Sequence, residues 1–183
     1  MIKKNSLFSN PKVIWLTGLS GSGKSTIAKA LEKILVSQNI AVKILDGDEI
    51  RTGLNKDLGF SIQDRIENIR RAAEVAKILK NSGILVLACF ISPTICIRRL
   101  AKNIISEKDF VEVFVDTPLD VCIKRDVKGL YKKAMEGEIK NFTGINSPYE
   151  PPKHPDIIID TENLTVEESV KKIIEYLDNI NID

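Results

Sequence analysis

The chain has no long hydrophobic run. Its longest apolar stretch, Ile84–Ile91, is far too short to span a bilayer and suits a central strand, so no membrane partner is expected. Cysteine is scarce as well. Cys89, Cys96 and Cys122 are odd in number and show neither C-x-x-C nor Cys/His metal spacing, which argues against a disulfide scaffold and fits reduced thiols in the cytoplasm. Cys89 and Cys122 are expected to pack as small hydrophobes. Neither sign of charge dominates: 27 basic residues against 25 acidic ones leave a net charge of +2, with no nucleic-acid footprint. The lone histidine, His154, sits among prolines and reads as a surface residue. The basic start at Lys3 and Lys4 lacks the apolar stretch and cleavage site of a signal peptide, which is therefore not expected. There is no internal repeat and no low-complexity linker. No Asn-Lys-x-Asp guanine motif follows the fourth apolar run, where Asp116-Thr117-Pro118-Leu119 stands instead, so a GTPase switch is disfavoured.

What is present begins with Gly18-Leu19-Ser20-Gly21-Ser22-Gly23-Lys24-Ser25, a full G-x-x-x-x-G-K-[ST] match that Thr26 extends. The apolar run Val13–Leu16 before it reads as a buried strand. Ile27, Ala28, Leu31, Ile34 and Leu35 after it recur at helical spacing. Glycines let backbone N–H groups turn around phosphate oxygens, Lys24 reaches the β- and γ-phosphates, and the Ser25 hydroxyl can ligate the Mg²⁺ that accompanies ATP.

Five strands are expected, at Val13–Leu16, Ala41–Leu45, Ile84–Ile91, Val111–Val115 and Ile157–Ile159, alternating with helical patterns. That alternation predicts an α/β fold, a parallel five-stranded sheet with helices on both faces. At 183 residues one domain is expected, with residues 1–10 as a flexible tail and about 128–155 as a short lid and substrate loop. Ser61 with Asp64 predicts a helix start, with Ile62, Ile66, Ile69, Ala73, Ala76 and Leu79 as its buried stripe and Arg65 and Asn68 on the opposite face. Thr117-Pro118 predicts another start with Thr117 as its cap, and Thr165 with Glu168 predicts a capping box.

Ligands of such sheets bind beyond the carboxyl ends of the strands. The third run has no carboxylate in it or at its end, so metal and base duties fall to Asp46 and Asp48, with Asp48 as the candidate base. The alternative for Asp48 is a plain helix cap. Arg51, Arg65 and Asn68 begin at the same edge and suit an anionic acceptor, a solvated helix face being the alternative. Arg125 and Lys128 add two cations. Phe60 and Phe142 can clamp a planar base or pack in the core.

These residues together closely resemble the adenylylsulfate kinase family. The motifs are Gly18–Thr26; Asp46-Gly47-Asp48 with Ile50-Arg51; Gly53–Ser61 with Asp64-Arg65; Glu67–Arg71; Phe90–Pro93; Lys128–Tyr131; Phe142–Ile145; and Pro148–Glu150, nearly the whole chain. The resemblance implies a cytoplasmic P-loop kinase of sulfate assimilation that moves the ATP γ-phosphoryl group to the 3′-hydroxyl of adenosine 5′-phosphosulfate, with Mg²⁺. It implies ATP contacts from Gly18–Thr26 and Arg125. It implies acceptor contacts from Asp48, Arg51, Phe60, Arg65, Asn68, Ile91, Ser92, Lys128 and Phe142, catalytic duty for Lys24, Asp48 and Lys128, and metal contacts from Ser25, Asp46 and Asp48. Ser92 matches the family's phosphoserine position, yet direct in-line transfer needs no covalent intermediate, and substrate binding through its hydroxyl or backbone is expected. The chain departs from the family at Thr94–Ile97, beside the expected acceptor site, and at Val127. That departure keeps open a related kinase acting on another small nucleotide, such as a cytidine diphosphoramidate in capsule biosynthesis. A non-catalytic nucleotide-binding regulator is a further alternative. The oligomeric state stays open, a homodimer among the options.

Overall fold

The computed structural model describes residues 10–180, so nearly all of the expected flexible tail lies outside the described residues. Its apolar runs form five strands: β1 (Val13–Thr17), β2 (Val42–Asp46), β3 (Leu85–Cys89), β4 (Phe110–Asp116) and β5 (Ile157–Asp160). All neighbours pair in parallel, in the order β2-β3-β1-β4-β5. β3 stops at Cys89, short of the expected Ile91, because the chain leaves the ladder and turns at Ser92, whose φ is 37°.

The helices are α1 (Lys24–Ser37), α2 (Gly47–Thr52), α3 (Ile62–Asn81), α4 (Ile95–Ile105), α5 (Leu119–Arg125), α6 (Leu130–Met135) and α7 (Val166–Ile180). Alternating strand residues divide the core into two layers. Ile14, Leu16, Leu87 and Val113 pack against Ile27, Leu31 and Leu35 of α1 and Val170, Ile173 and Leu177 of α7. Val13, Trp15, Val86 and Ala88 pack against Ile69, Ala73 and Ala76 of α3 and Ile97, Ala101 and Ile105 of α4. Trp15, fully buried, lies between Phe90 and Phe110 with ring centroids 5.0 and 5.7 Å away. Its truncation to alanine would cost about 3–5 kcal/mol.

Three local expectations change. Ile34 is exposed rather than part of the α1 face. Ser61 does cap α3, accepting from Asp64 N, but Ile62 and Ile66 face solvent while Asn68 is buried with Ile69, Ala72, Ala73 and Ala76. Arg65, Asn68 and Ile69 line a cavity, and the buried stripe begins only at Asn68. Thr117 does not cap α5, which starts at Leu119 after Pro118; its hydroxyl instead donates to Ser22 O, 3.1 Å away. The Thr165–Glu168 capping box forms as expected, with Thr165 N donating to Glu168 Oε2 and Glu168 N to Thr165 Oγ1.

Candidate active site

β1 is central and leads on to β2 at one edge, whereas its neighbour β4 leads on to β5 at the other, so their carboxyl ends form the switch point where such sheets bind ligands. The loop Gly18–Gly23 sits there and enters α1 through Gly23, at φ 105°. A Cβ at Gly18 would lie 2.5 Å from the Val115 carbonyl oxygen, so only glycine passes that close to β4. Lys24 Nζ donates to the carbonyls of Gly18 (3.0 Å) and Leu19 (2.6 Å) and to Ser22 Oγ (3.3 Å). Burial pulls its ammonium from the ordinary 10.5 down to about 8. A charge so desolvated gains from a phosphate beside it.

A cavity of about 490 Å³ opens beyond this loop. Ser20, Gly21, Gly23, Lys24, Ser25 and Thr26 form its cradle side, whereas Gly18, Leu19 and Ser22 stand behind it. Arg125 also lies outside the lining. It donates to Thr161 O at 2.9 Å and to Thr161 Oγ1 at 3.2 Å, and Thr161 Oγ1 is 2.5 Å from Thr117 Oγ1. Hydroxyls thus link Arg125 to the Ser22 carbonyl of the cradle.

Asp46 and Asp48 stand at the end of β2, over the cradle. Ser25 Oγ donates to Asp46 Oδ2 at 2.5 Å, and Asp46 Oδ1 accepts from Asp48 N, so Asp46 rather than Asp48 caps α2. The plain-cap alternative for Asp48 therefore falls, and its carboxylate is ion-paired with Lys128 Nζ. The donor set here is hydroxyl and carboxylate oxygen. Among the described residues there is no group of three His, Cys, Asp or Glu side chains suited to a metal. That fits Mg²⁺, which needs only one or two protein oxygens when phosphates and water supply the rest.

The opposite wall carries Arg51, Phe60, Arg65, Asn68, Ile91, Ser92, Lys128 and Phe142, each of which lines the cavity. Arg51 donates to the carbonyls of Leu58 and Gly59, and Arg65 to those of Phe60 and Asn141. Among the described residues neither guanidinium contacts a carboxylate. Burial lowers both pKa values, and the positive charge of Arg51 lowers that of Arg65 further. Asp64 and Asp48 act on Arg51 from a distance, and two partly desolvated cations without a carboxylate in contact make a site for an anion. Phe60 is 54% exposed, its ring under Arg51 and Arg65 at 4.5 and 5.7 Å. Phe142 is 9% exposed and meets Tyr131 edge-on, with ring centroids 5.0 Å apart. Tyr131 in turn donates to Ser20 O at 2.9 Å, fastening α6 to the cradle.

Ser92 is buried. Its hydroxyl accepts from Trp15 Nε1 at 3.1 Å and donates to Thr17 Oγ1 at 2.9 Å. Behind it, buried Arg98 donates to Ser92 O and Glu150 O and pairs with Glu112 at 3.0 Å. The departing segment Thr94–Ile97 lines no part of the cavity. Thr94 caps α4 by accepting from Ile97 N, Ile97 is buried, and Ile95 and Cys96 face solvent, so of the two departures only Val127 lines the cavity. Sequence reasoning missed Lys140, Asn141 and Thr143 in the lining, and Thr17, Arg98, Thr117, Tyr149 and Thr161 behind it. Thr143 and Tyr149 stand in the stretches Phe142–Ile145 and Pro148–Glu150, which are the one signal for them; the others are polar residues with no pattern that points to a site.

Residues 10–160 match the family described as adenylylsulphate kinase. A protein named adenylyl-sulfate kinase from Bacteroides thetaiotaomicron is 57% identical over 175 residues, 96% of this chain and 87% of that one. Its counterpart from Clostridium acetobutylicum is 57% identical over 165 residues, covering 90% and 82%. Among solved structures, the Mycobacterium tuberculosis APS kinase CysC in complex with AMPPNP and APS superposes with a TM-score of 0.90 at 48% identity, over 92% of this chain and 98% of that chain.

Proposed function

The chain belongs to the adenylylsulphate kinase family, and on that premise we propose that it transfers the γ-phosphoryl group of ATP to the 3′-hydroxyl of adenosine 5′-phosphosulfate, giving 3′-phosphoadenosine 5′-phosphosulfate and ADP. One observation carries the reading: the phosphate cradle, Asp48 and two arginines that contact no carboxylate line a single cavity. In-line phosphoryl transfer needs positioning and charge stabilisation rather than covalent chemistry. Lys24 neutralises charge on the transferred group, and the cradle N–H groups hold the phosphates. Asp48 accepts the proton of the 3′-hydroxyl as its oxygen bonds to phosphorus. Lys128, paired with Asp48, keeps that carboxylate aimed at the transfer path. Arg51 and Arg65 hold the phosphosulfate, Asn68 with the backbone near Ile91 and Ser92 contacts the nucleoside, and Phe60 and Phe142 flank the base. Arg125 meets the ATP from behind the cradle. Mg²⁺ would be held by the Ser25 hydroxyl and the Asp46 carboxylate, with Asp48 nearby, and would supply charge neutralisation on the phosphates.

Residues 128–155 act as the lid, excluding water that would otherwise hydrolyse ATP. Among the described residues no helix is long and apolar enough to cross a membrane. Cys89, Cys96 and Cys122 are free thiols, and we place the enzyme in the reducing cytoplasm. Ser92 acts as a structural wall residue, because its hydroxyl is committed to Trp15 and Thr17. The cytidine-nucleotide reading drew its support from Thr94–Ile97, which stands outside the cavity. An assay coupled to ADP release, run with adenosine 5′-phosphosulfate and with cytidine nucleotides, tests the proposal. The expected result is a kcat/KM at least about tenfold higher for the adenosine compound, equivalent to about 1.4 kcal/mol. Preference for a cytidine acceptor would overturn the acceptor assignment, and absence of any turnover would overturn the kinase.

A further inference from the structure

Asn68 lines the cavity, and its amide has two ends of opposite hydrogen-bonding sign. Which end faces a ligand decides whether that position attracts an acceptor atom or a donor group. Asn55, in the turn between α2 and α3, settles this. Its side chain is wholly buried, and its Nδ2 donates to Asn68 Oδ1 at 2.9 Å and to the Asn68 backbone carbonyl at 3.4 Å. A backbone carbonyl can only accept, so the nitrogen end of Asn55 faces α3. Asn68 must then turn its oxygen toward Asn55. Asn68 Nδ2 has no hydrogen bond among the described residues and is not sealed from solvent, which leaves it as the end offered to the cavity.

The turn bearing Asn55 is held at several points, so this orientation is built in before any ligand arrives. Asn55 N donates to Ile50 O at 2.9 Å, and Leu58 N to Asn55 O at 3.1 Å. Arg71 on α3 binds Leu54 O and both carboxylate oxygens of Asp57. The other end of the Asn55 amide, Oδ1, is buried with no partner, so the amide does less for the fold than a fully satisfied group would.

We propose that Asn55 is a positioning residue that makes Asn68 a pure hydrogen-bond donor toward the acceptor nucleotide. The site thereby selects a hydroxyl, carbonyl or ether oxygen or a ring nitrogen at that position and penalises an amino group, which can only donate. The inference rests on the acceptor-site reading of this wall.

A double-mutant cycle of Asn55→Ala, Asn68→Ala and the pair, with KM measured for both substrates, tests it. Each single change is expected to raise the KM for adenosine 5′-phosphosulfate about five- to tenfold with the KM for ATP held within about twofold, and the pair to be no worse than Asn68→Ala alone. Additive effects, or equal rises in both KM values, would overturn the proposal. Side-chain amide exchange in the wild-type protein, followed by NMR, gives an answer even if Asn55→Ala does not fold. Slow exchange at Asn55 Nδ2, with fast exchange at Asn68 Nδ2 until acceptor is added, is the expected pattern; the reverse pattern overturns it. An active enzyme whose acceptor KM ignores Asn68→Ala would instead remove Asn68 from the acceptor site, and the exchange pattern would still report the pairing with Asn55.

Discussion

The cradle is one contiguous stretch, Gly18–Thr26, made mostly of backbone and set at the end of a fully buried strand. The wall across the cavity is assembled from side chains of four separate segments, around residues 46–51, 60–69, 91–93 and 127–143. The cradle's groups are placed by φ angles and by the core beneath them. The wall's groups are placed by hydrogen bonds to carbonyls elsewhere in the chain, such as Arg65 to Asn141 O at 2.6 Å. A contiguous backbone site recognises what all nucleotides share, while a composite side-chain site can distinguish one acceptor from another. Changes in the cradle should therefore strike the chemical step, and changes in the wall should strike acceptor binding.

The largest effect is expected at the cradle. Lys24→Ala removes a desolvated cation that contributes nothing apolar to the core, so kcat should fall on the order of 10²–10³-fold while the circular dichroism spectrum stays that of the wild type. Near-normal turnover would end the distinction between the two sides. Asp48→Asn keeps the size of the side chain and removes the base, and should lower kcat by about 10²-fold with little change in the KM for ATP, measured by the same coupled assay.

Within the wall the two aromatic rings sharpen the contrast. Phe60 is exposed, so Phe60→Ala should raise the acceptor KM about fivefold, from a stacking contribution of about 1 kcal/mol, and leave the melting temperature unchanged. Phe142 packs with Tyr131 and Cys122 as well as facing the cavity, so Phe142→Ala should add a loss of about 3 kcal/mol in urea unfolding. Equal stability losses for the two would mean that both rings belong to the core. The smallest catalytic effect is expected at Ser92→Ala. It should hold kcat within about tenfold while costing about 1–2 kcal/mol of stability, because Trp15 Nε1 loses its buried partner. Inactivity with both substrates still bound would instead point to an obligatory phosphoserine.

Much of the architecture could be read along the chain because it is encoded locally. Each of the five apolar runs became a strand: β1 and β3 are buried throughout and need an unbroken apolar stretch, while the edge strands β2 and β5 bury only part of theirs. Ser61 and Thr165 capped their helices because a cap involves residues three apart. Thr117 failed the same reasoning because its hydroxyl's partners, Ser22 O and Thr161 Oγ1, are distant in sequence and close only once the strands have paired.

By itself the sequence determined the strands, the phosphate cradle and the residue types available at the sheet's carboxyl edge, because periodicity, glycine placement and capping act over a few residues. Only the tertiary structure decided which of those side chains share a cavity, that Thr94–Ile97 turns away from it, that Asp46 takes the capping role and leaves Asp48 free for Lys128, and that Asn55 sets the orientation of Asn68. Those outcomes depend on distances between segments far apart in the chain, and such distances exist only after the strands have been ordered and the helices laid across them.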